Sequence, residues 1–335
     1  MERYLRLVYK LSSTQVVEIV RLALEERYEI ESSTYLFLGG MVNCGFVQTV
    51  AIERYSRERI TFMTKLVEGE QNQDETFYRV VYPMIETLQP MIPRLVDLRT
   101  LQGLTLLTTE KVDGHAPSEE DFEIVLEASR AIETFPHERV MAIFGALDIN
   151  VQERFYISKW SLRQMYLNSY LTLASKTDDP DRIFTAFTRL YRMLRDIKIY
   201  RLATAANYSF CHGDLNRANI LIQNGTTRVL DWTHFRVAPL GYDIAYYFKN
   251  SSLDFTAFRE AFLDSRFPIH DGVRQNAVAC VLFIHQLIYL RIKHSKPTEL
   301  EPDYERFFLP AVEYAIEIAS WYLGYRVPGR KGITT

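Results

Sequence analysis

The chain has little cysteine and no dominant block of charge. Its three cysteines, Cys44, Cys211 and Cys280, lie far apart, form no C-x-x-C pair and cannot all pair with one another. Reduced thiols in a cytoplasmic protein are the expectation. Cys211 stands beside His212, but neighbours on a strand point to opposite faces and no further triad pattern is visible, so a thiol nucleophile is not expected. The formal net charge is −3, and the one basic cluster, "YRVPGRKG" at 325–332, reads as a short solvated tail. Without a clustered basic face, nucleic acid is not an expected partner. No apolar run reaches the roughly 18 residues of a membrane span, so no membrane partner is expected either. The opening "MERYLRLVYKLSS" is charged and lacks the apolar core of a signal peptide. Internal repeats and low-complexity tracts are missing as well.

What is present is ordinary globular material. The 335 residues are 47% hydrophobic and 24% charged, which suits one large domain or two lobes with a sizeable core. "SSTQVVEIVRLALEERY" reads as a helix, with Ser12 and Gln15 forming a capping box. The period then changes. "TYLFLGG", "FVQTVAIER" and "RITFMTKLV" are β-branched and aromatic runs, expected as a three-stranded antiparallel sheet over Tyr35 to Val67. "QDETFYRVVYPMIETL" has helical spacing that Pro83 should end or kink, and "PRLVDL" and "LTLLTTE" suggest two more strands. "KVDGHAPS" is the best linker. Six segments after it carry apolar residues at helical spacing, interrupted by "NILIQNGTTRVLDW", two β-rich runs around Asn224-Gly225. That dipeptide is the strongest short hairpin signal.

The chemistry gathers around this hairpin. "FCHGDLNRANILI", residues 210–222, sets charged and amide groups between apolar flanks, where they are costly unless paired or functional. The two ends of a hairpin lie side by side, so Asn219 and Asp231 should be neighbours, with Asp214 just upstream. Magnesium prefers oxygen ligands such as carboxylates and amides, and a further carboxylate can take a proton from an attacking hydroxyl. Asp214, Asn219 and Asp231 thus read as one base and two metal ligands.

"HGDLNRANIL", followed by "LDW" and "GYDIA", resembles the aminoglycoside phosphotransferase and choline kinase family. The resemblance covers roughly Leu36 to Phe248 and implies an α+β, bilobal, protein-kinase-like fold. A small antiparallel-sheet N-terminal lobe would span 1–111 with its leading helix. A hinge would follow at 112–117, then a mostly helical C-terminal lobe at 118–325 and a tail at 326–335. His212, Asp214 and Asn219 fit the catalytic-loop pattern H-x-D-x-x-x-x-N. By resemblance Asp214 is the catalytic base, Asn219 and Asp231 hold Mg2+, and Asp243 braces the loop, with His212 a structural support. Asn216 stands where the family often has His, a position tied to loop geometry.

The family also implies an ATP site upstream. "LGGMVNCGF" places Gly39, Gly40 and Asn43 at the phosphate turn, though its glycines do not form G-x-G-x-x-G. Lys65 ends the third strand as the nucleotide lysine. Its acidic partner is Asp74 or Glu75, a choice the sequence leaves open. Backbone groups from Glu110 to Val112 would hold adenine.

Several residues have plainer readings. A strand lysine is ordinarily solvated, and a Gly-Gly pair is ordinarily a turn. His234 either touches substrate or fills a turn, and His285, in an apolar helix, reads as a satisfied core histidine. The aromatics of "WSLRQMYLNSYL" and "AYYF" suit a substrate pocket or, more simply, the core. Between Asp231 and Asp243 lies only "WTHFRVAPLGY", too short for a peptide platform. The implied acceptor is therefore a hydroxyl of a small molecule: an aminoglycoside, amino-alcohol or sugar-like compound. A non-catalytic ATP-binding regulator and an atypical protein kinase are the alternatives.

Overall fold

The structure, a computed structural model, describes residues 12–36, 43–68, 73–101, 104–118, 121–150, 156–177, 180–250, 253–268 and 274–328. The chain forms two compact units: residues 1–128 with 217–234, and 129–216 with 235–335. The hairpin therefore groups with the sheet, although it lies far along the chain.

The first unit opens with helix α1 (Ser13–Leu24). Ser12 Oγ accepts from the Gln15 N–H and Gln15 Oε1 accepts from the Ser12 N–H, the reciprocal cap its sequence predicts. Val16, Val20 and Leu24 bury one stripe against the sheet. The helix stops short of Tyr28, which instead begins strand β1 (Tyr28–Leu36). Its ring meets Phe62 edge-on, 4.7 Å between centroids, inside the sheet core. That burial outweighs the helical spacing of the preceding residues.

Strands β2 (Asn43–Glu53), β3 (Arg59–Glu68), β4 (Leu95–Leu101) and β5 (Leu104–Glu110) complete an antiparallel sheet in the order β1-β2-β3-β5-β4. The expected three strands are thus the first part of a five-stranded sheet whose β3 is central. After β3, helix α2 (Gln73–Thr76) widens to a π turn over Phe77–Val81 and a 3-10 turn over Tyr82–Met84. The irregularity begins ahead of Pro83, which has no N–H to continue an α-helical ladder.

Strands β6 (Tyr208–Cys211), β7 (Ile220–Gln223), β8 (Thr226–Val229) and β9 (Arg236–Pro239) form two small ladders, β6 with β9 and β7 with β8. Asn224 and Gly225 both take positive φ, 52° and 72°, as the favoured two-residue hairpin turn requires. The "KVDGHAPS" stretch is pinned to this hairpin by two backbone bonds between His115 and Ile222. A Cβ on Gly114 would stand 2.7 Å from the Ile222 carbonyl oxygen, so only glycine fits there.

Helix α3 (Phe122–Glu133) straddles the division between the units. The second unit contains α4 (His137–Ala146), which sequence spacing did not single out, α5 (Lys159–Lys176), α6 (Pro180–Asp196), α7 (Tyr242–Tyr247), α8 (Arg274–His294) and α9 (Leu309–Tyr322). By length and composition α8 could cross a membrane, yet 83% of its most apolar stretch is buried inside the protein, the behaviour of a core helix. Arg291 is fully buried on α8, its guanidinium bonded to Asp303 at 2.7 Å and set 3.6 Å from the Phe307 ring centre.

Candidate functional site

Within the first unit, Lys65 is the focus. Its position near the end of β3 lets Nζ donate to Asp74 Oδ2 at 3.0 Å and to Asp231 Oδ1 at 2.9 Å. Burial pulls the ammonium pKa down, but the two carboxylates outweigh it and hold Lys65 above the ordinary lysine value. The open choice of partner resolves to Asp74, which is buried on α2. Glu75 is not the partner: its carboxylate accepts from Arg79 at 2.8 Å and from Thr105 at 3.4 Å. Successive helical residues face different sides, and on α2 the shorter acid is the one that faces Lys65.

Asp231 sits where β8 ends, with φ of 58°. A left-handed carboxylate residue is uncommon, and such conformations cluster at functional sites. Thr233 Oγ1 donates to the same Oδ1 that Lys65 uses, at 3.1 Å. Trp232 stacks on Phe77, centroids 5.3 Å apart and planes 13° from parallel, which ties the Asp231 turn to the helical segment carrying Asp74. The Asn219 carbonyl accepts from Leu230 N–H at 2.8 Å, so the two ends of the hairpin meet as its geometry predicts.

Among the described residues no cluster of three His, Cys, Asp or Glu side chains could hold a metal. The donor set at the hairpin nevertheless fits magnesium. One carboxylate and one amide are hard oxygen donors, and this ion usually completes its shell with water and substrate phosphates.

Gly39 and Gly40 lie outside the described residues, and of Asn43 only the backbone is described, as the first residue of β2. At the expected adenine segment, Glu110 N–H bonds the Arg94 carbonyl and Lys111 N–H bonds the Thr61 carbonyl. Those two donors are engaged inside the protein. Burial holds the Asp74 carboxyl above the ordinary value against the pull of Lys65, and the exposed His234 adds only a small further opposing pull.

Within the second unit, Asp214 lies in a loop held from beneath. Asp243, fully buried on α7, accepts from His212 N–H at 2.8 Å and Gly213 N–H at 2.9 Å. Burial pushes its carboxyl up to about 7, against the pull of those donors. The buried His212 ring turns back, its Nδ1 accepting from Asp214 N–H at 3.3 Å. Asn216 Nδ2 donates to the Asp214 carbonyl at 3.1 Å and to Oδ1 at 3.2 Å. The residue that departs from the family pattern thus steadies the loop and the carboxylate. Gly241 opens α7 with φ of 82°, and a Cβ there would run into the Phe283 ring. Its N–H donates to Glu133, an acid that sequence reading did not single out.

Cys211 donates to the Arg236 carbonyl at 3.3 Å, and burial pushes its thiol well above the ordinary value, the opposite of an activated nucleophile. The aromatics divide. Phe248 packs on Phe258 in the core, and Tyr166 stacks on Tyr191. Tyr246 instead carries the Lys249 ammonium 3.1 Å from its ring centre.

Central Lys65 on an antiparallel sheet, a hairpin-borne carboxylate and a braced H-x-D loop define a protein-kinase-like fold of the phosphotransferase class. The sequence matches the phosphotransferase enzyme family over residues 65–275. The chain belongs to that family. No curated protein matches it. Among solved structures, a choline kinase from Cryptosporidium parvum is 14% identical, with 93% of this chain and 99% of that one covered at a TM-score of 0.52. An amicoumacin kinase in complex with AMP-PNP and Ca2+ is also 14% identical, covering 96% and 97% at 0.49. A thermostable mutant of an aminoglycoside phosphotransferase, in complex with ADP and hygromycin B, is 11% identical, covering 91% and 98% at 0.48.

Proposed function

We propose that this protein transfers the γ-phosphoryl group of ATP to a hydroxyl of a small molecule of the aminoglycoside, amino-alcohol or sugar-like kind. The observation that carries this reading is the charged triplet Lys65–Asp74–Asp231, in which one ammonium is oriented by two carboxylates. Such an arrangement suits a lysine that steadies the α- and β-phosphates, with Asp74 fixing its direction. Asn219 and Asp231 are the residues that would hold magnesium. When bound, the ion neutralises charge on the phosphates. Asp214 orients the acceptor hydroxyl and takes its proton late, while Asp243 and Asn216 keep its loop in one geometry. Glu110 through its carbonyl, together with Val112, would meet adenine, and Gly39, Gly40 and Asn43 would cover the phosphates. Positioning and electrostatics supply most of the rate in such a transfer. The short span from Asp231 to Asp243 favours a small acceptor over a peptide.

The test is Asp214→Asn. Turnover measured with radiolabelled ATP and a panel of hydroxylated compounds should fall about 10²- to 10⁴-fold, with ATP affinity retained. Wild-type protein that binds ATP tightly yet transfers phosphate to no acceptor and not to water would instead favour a non-catalytic ATP-binding regulator. Efficient labelling of proteins, with none of the small molecules, would favour an atypical protein kinase.

A further inference from the structure

The second unit sets two basic side chains, Lys249 and His294, within electrostatic reach of Asp214. Tyr246 hydrogen-bonds Asp214. The Lys249 ammonium lies on the Tyr246 ring, and His294 sets its own ring edge-on to the same tyrosine, 5.4 Å between centroids. His294 Nε2 is buried and has no hydrogen-bond partner among the described residues. Lys293 adjoins it on α8 and lines a cavity of about 310 Å³ with Asn168, Ser169, Thr172 and Tyr289. The described lining contains three uncharged hydrogen-bonding side chains of amide and hydroxyl type from α5, a phenol, one ammonium and the aliphatic Leu171 and Ile292, and no carboxylate; the Ser169 hydroxyl already donates to the Met165 carbonyl. Lys176 adds a further cation, its Nζ donating to the carbonyls of Ile292, Lys293 and Ser295 at 3.1, 2.9 and 2.7 Å.

Lys176 has Glu299 as a counter-charge, whereas the carboxylate opposing Lys249 is Asp214. Burial first, and then Lys293, pull the Lys249 ammonium down to about 8, with Asp214 opposing. Burial, Lys249, Lys293 and Lys176 pull His294 down to about 4, and again Asp214 is the opposing carboxylate. A polycationic acceptor brought here would add to charge already crowded, whereas an anionic group would relieve it. The polar lining matches hydroxyls.

We infer that the acceptor carries an anionic oxygen group beside its reacting hydroxyl, and that Lys249 and Lys293 receive that group while Asp214 faces the hydroxyl. The part concerning the hydroxyl rests on the phosphotransfer reading. Anion recognition stands apart from it. Among the acceptor kinds named above, sugar-like acids and phosphorylated polyols fit, and aminoglycosides do not.

The experiment measures binding without nucleotide. A panel with equal numbers of hydroxy acids and sugar phosphates, neutral polyols, and aminoglycosides with amino-alcohols is screened by thermal shift and calorimetry. The tightest binder should be anionic, at least tenfold tighter than its uncharged analogue, and Lys249→Glu and Lys293→Glu should each abolish that preference. ATP affinity of the two variants reports that they are folded. A cationic compound as tightest binder, no binding by any anionic member, or an anion preference untouched by both charge reversals would each overturn the inference. The same panel is then offered with radiolabelled ATP. An anionic compound that binds but is never phosphorylated would remove the phosphotransfer reading and leave anion recognition standing. A phosphorylated aminoglycoside with no anion binding would do the reverse.

Discussion

At the scale of the residue, the charges of the first unit are arranged so that none can be changed alone. Asp231 accepts from both Lys65 and Thr233 through one oxygen, Oδ1. Asp231→Asn removes a unit of negative charge from the expected metal shell and weakens the hold on Lys65. In calorimetric titrations, wild-type affinity for ATP should rise on adding magnesium, and the variant should lose that dependence. Equal magnesium dependence in both proteins would remove Asp231 from the metal site. Asp243 offers a second case. It is the acceptor for two buried N–H groups, those of His212 and Gly213. Asp243→Ala leaves both without their acceptor and should lower stability by roughly 2 to 6 kcal/mol, at about 1 to 3 kcal/mol per buried orphan. Asp243→Asn keeps one acceptor oxygen and should cost less. Urea unfolding of the three proteins checks the order.

At the scale of the element, the hairpin shows why some of the site could be read in advance. Its turn chemistry is local. Asn224 and Gly225 supply the positive φ values that a two-residue connection needs, so strand pairing and the meeting of Asn219 with Leu230 follow from neighbours in sequence. A Cβ at Gly225 would meet no atom within 4 Å, so Gly225→Ala tests the backbone term alone. The variant should lose about 1 kcal/mol, the cost of a left-handed non-glycine residue, with ATP affinity unchanged. A loss well above that in urea unfolding would mean that the turn packs against something further. Elements fixed by packing were less legible. The choice between Asp74 and Glu75 depended on which side of α2 faces β3, and the boundary between α1 and β1 depended on Tyr28 reaching Phe62. Pro83 signalled a break in the helix after β3 but not that the break would be a π turn, and the helix α4 carried no signal that spacing alone would expose. The cluster at Asp214 was illegible for a different reason: Asp214, Lys249 and the neighbouring pair Lys293 and His294 are distant from one another in sequence, and only the folded second unit brings them together.

At the scale of the whole molecule, the largest departure from the sequence reading lies in the core of the second unit. His285, in the middle of α8, was expected to be a satisfied core histidine. It is fully buried beside Phe187, with rings 6.0 Å apart and nearly parallel, but neither ring nitrogen has a hydrogen-bond partner among the described residues. Burial pushes its pKa down to about 4, because the charged imidazolium would lose its hydration without gaining an acceptor. The sign of the consequence follows from proton counts. Between pH 6.5 and about 4 the unfolded chain binds a proton at this residue that the folded chain does not. Stability contributed by the neutral ring is present above the unfolded value and is lost as pH falls through this window. The full loss from His285 is up to roughly 3 kcal/mol, at about 1.4 kcal/mol per pH unit of separation. His294, depressed in the same direction but only partly buried, adds a smaller slope of the same sign. Replacing His285 by Leu should leave stability at pH 7.5 little changed or raised, since it removes two buried nitrogens without partners among the described residues. It should also flatten the decline between pH 6.5 and 5. Urea unfolding of wild-type and His285→Leu protein across that range is the measurement. Identical slopes would show that the imidazole takes up a proton as readily in the folded core as in water, and would place a hydrogen-bond acceptor beside it.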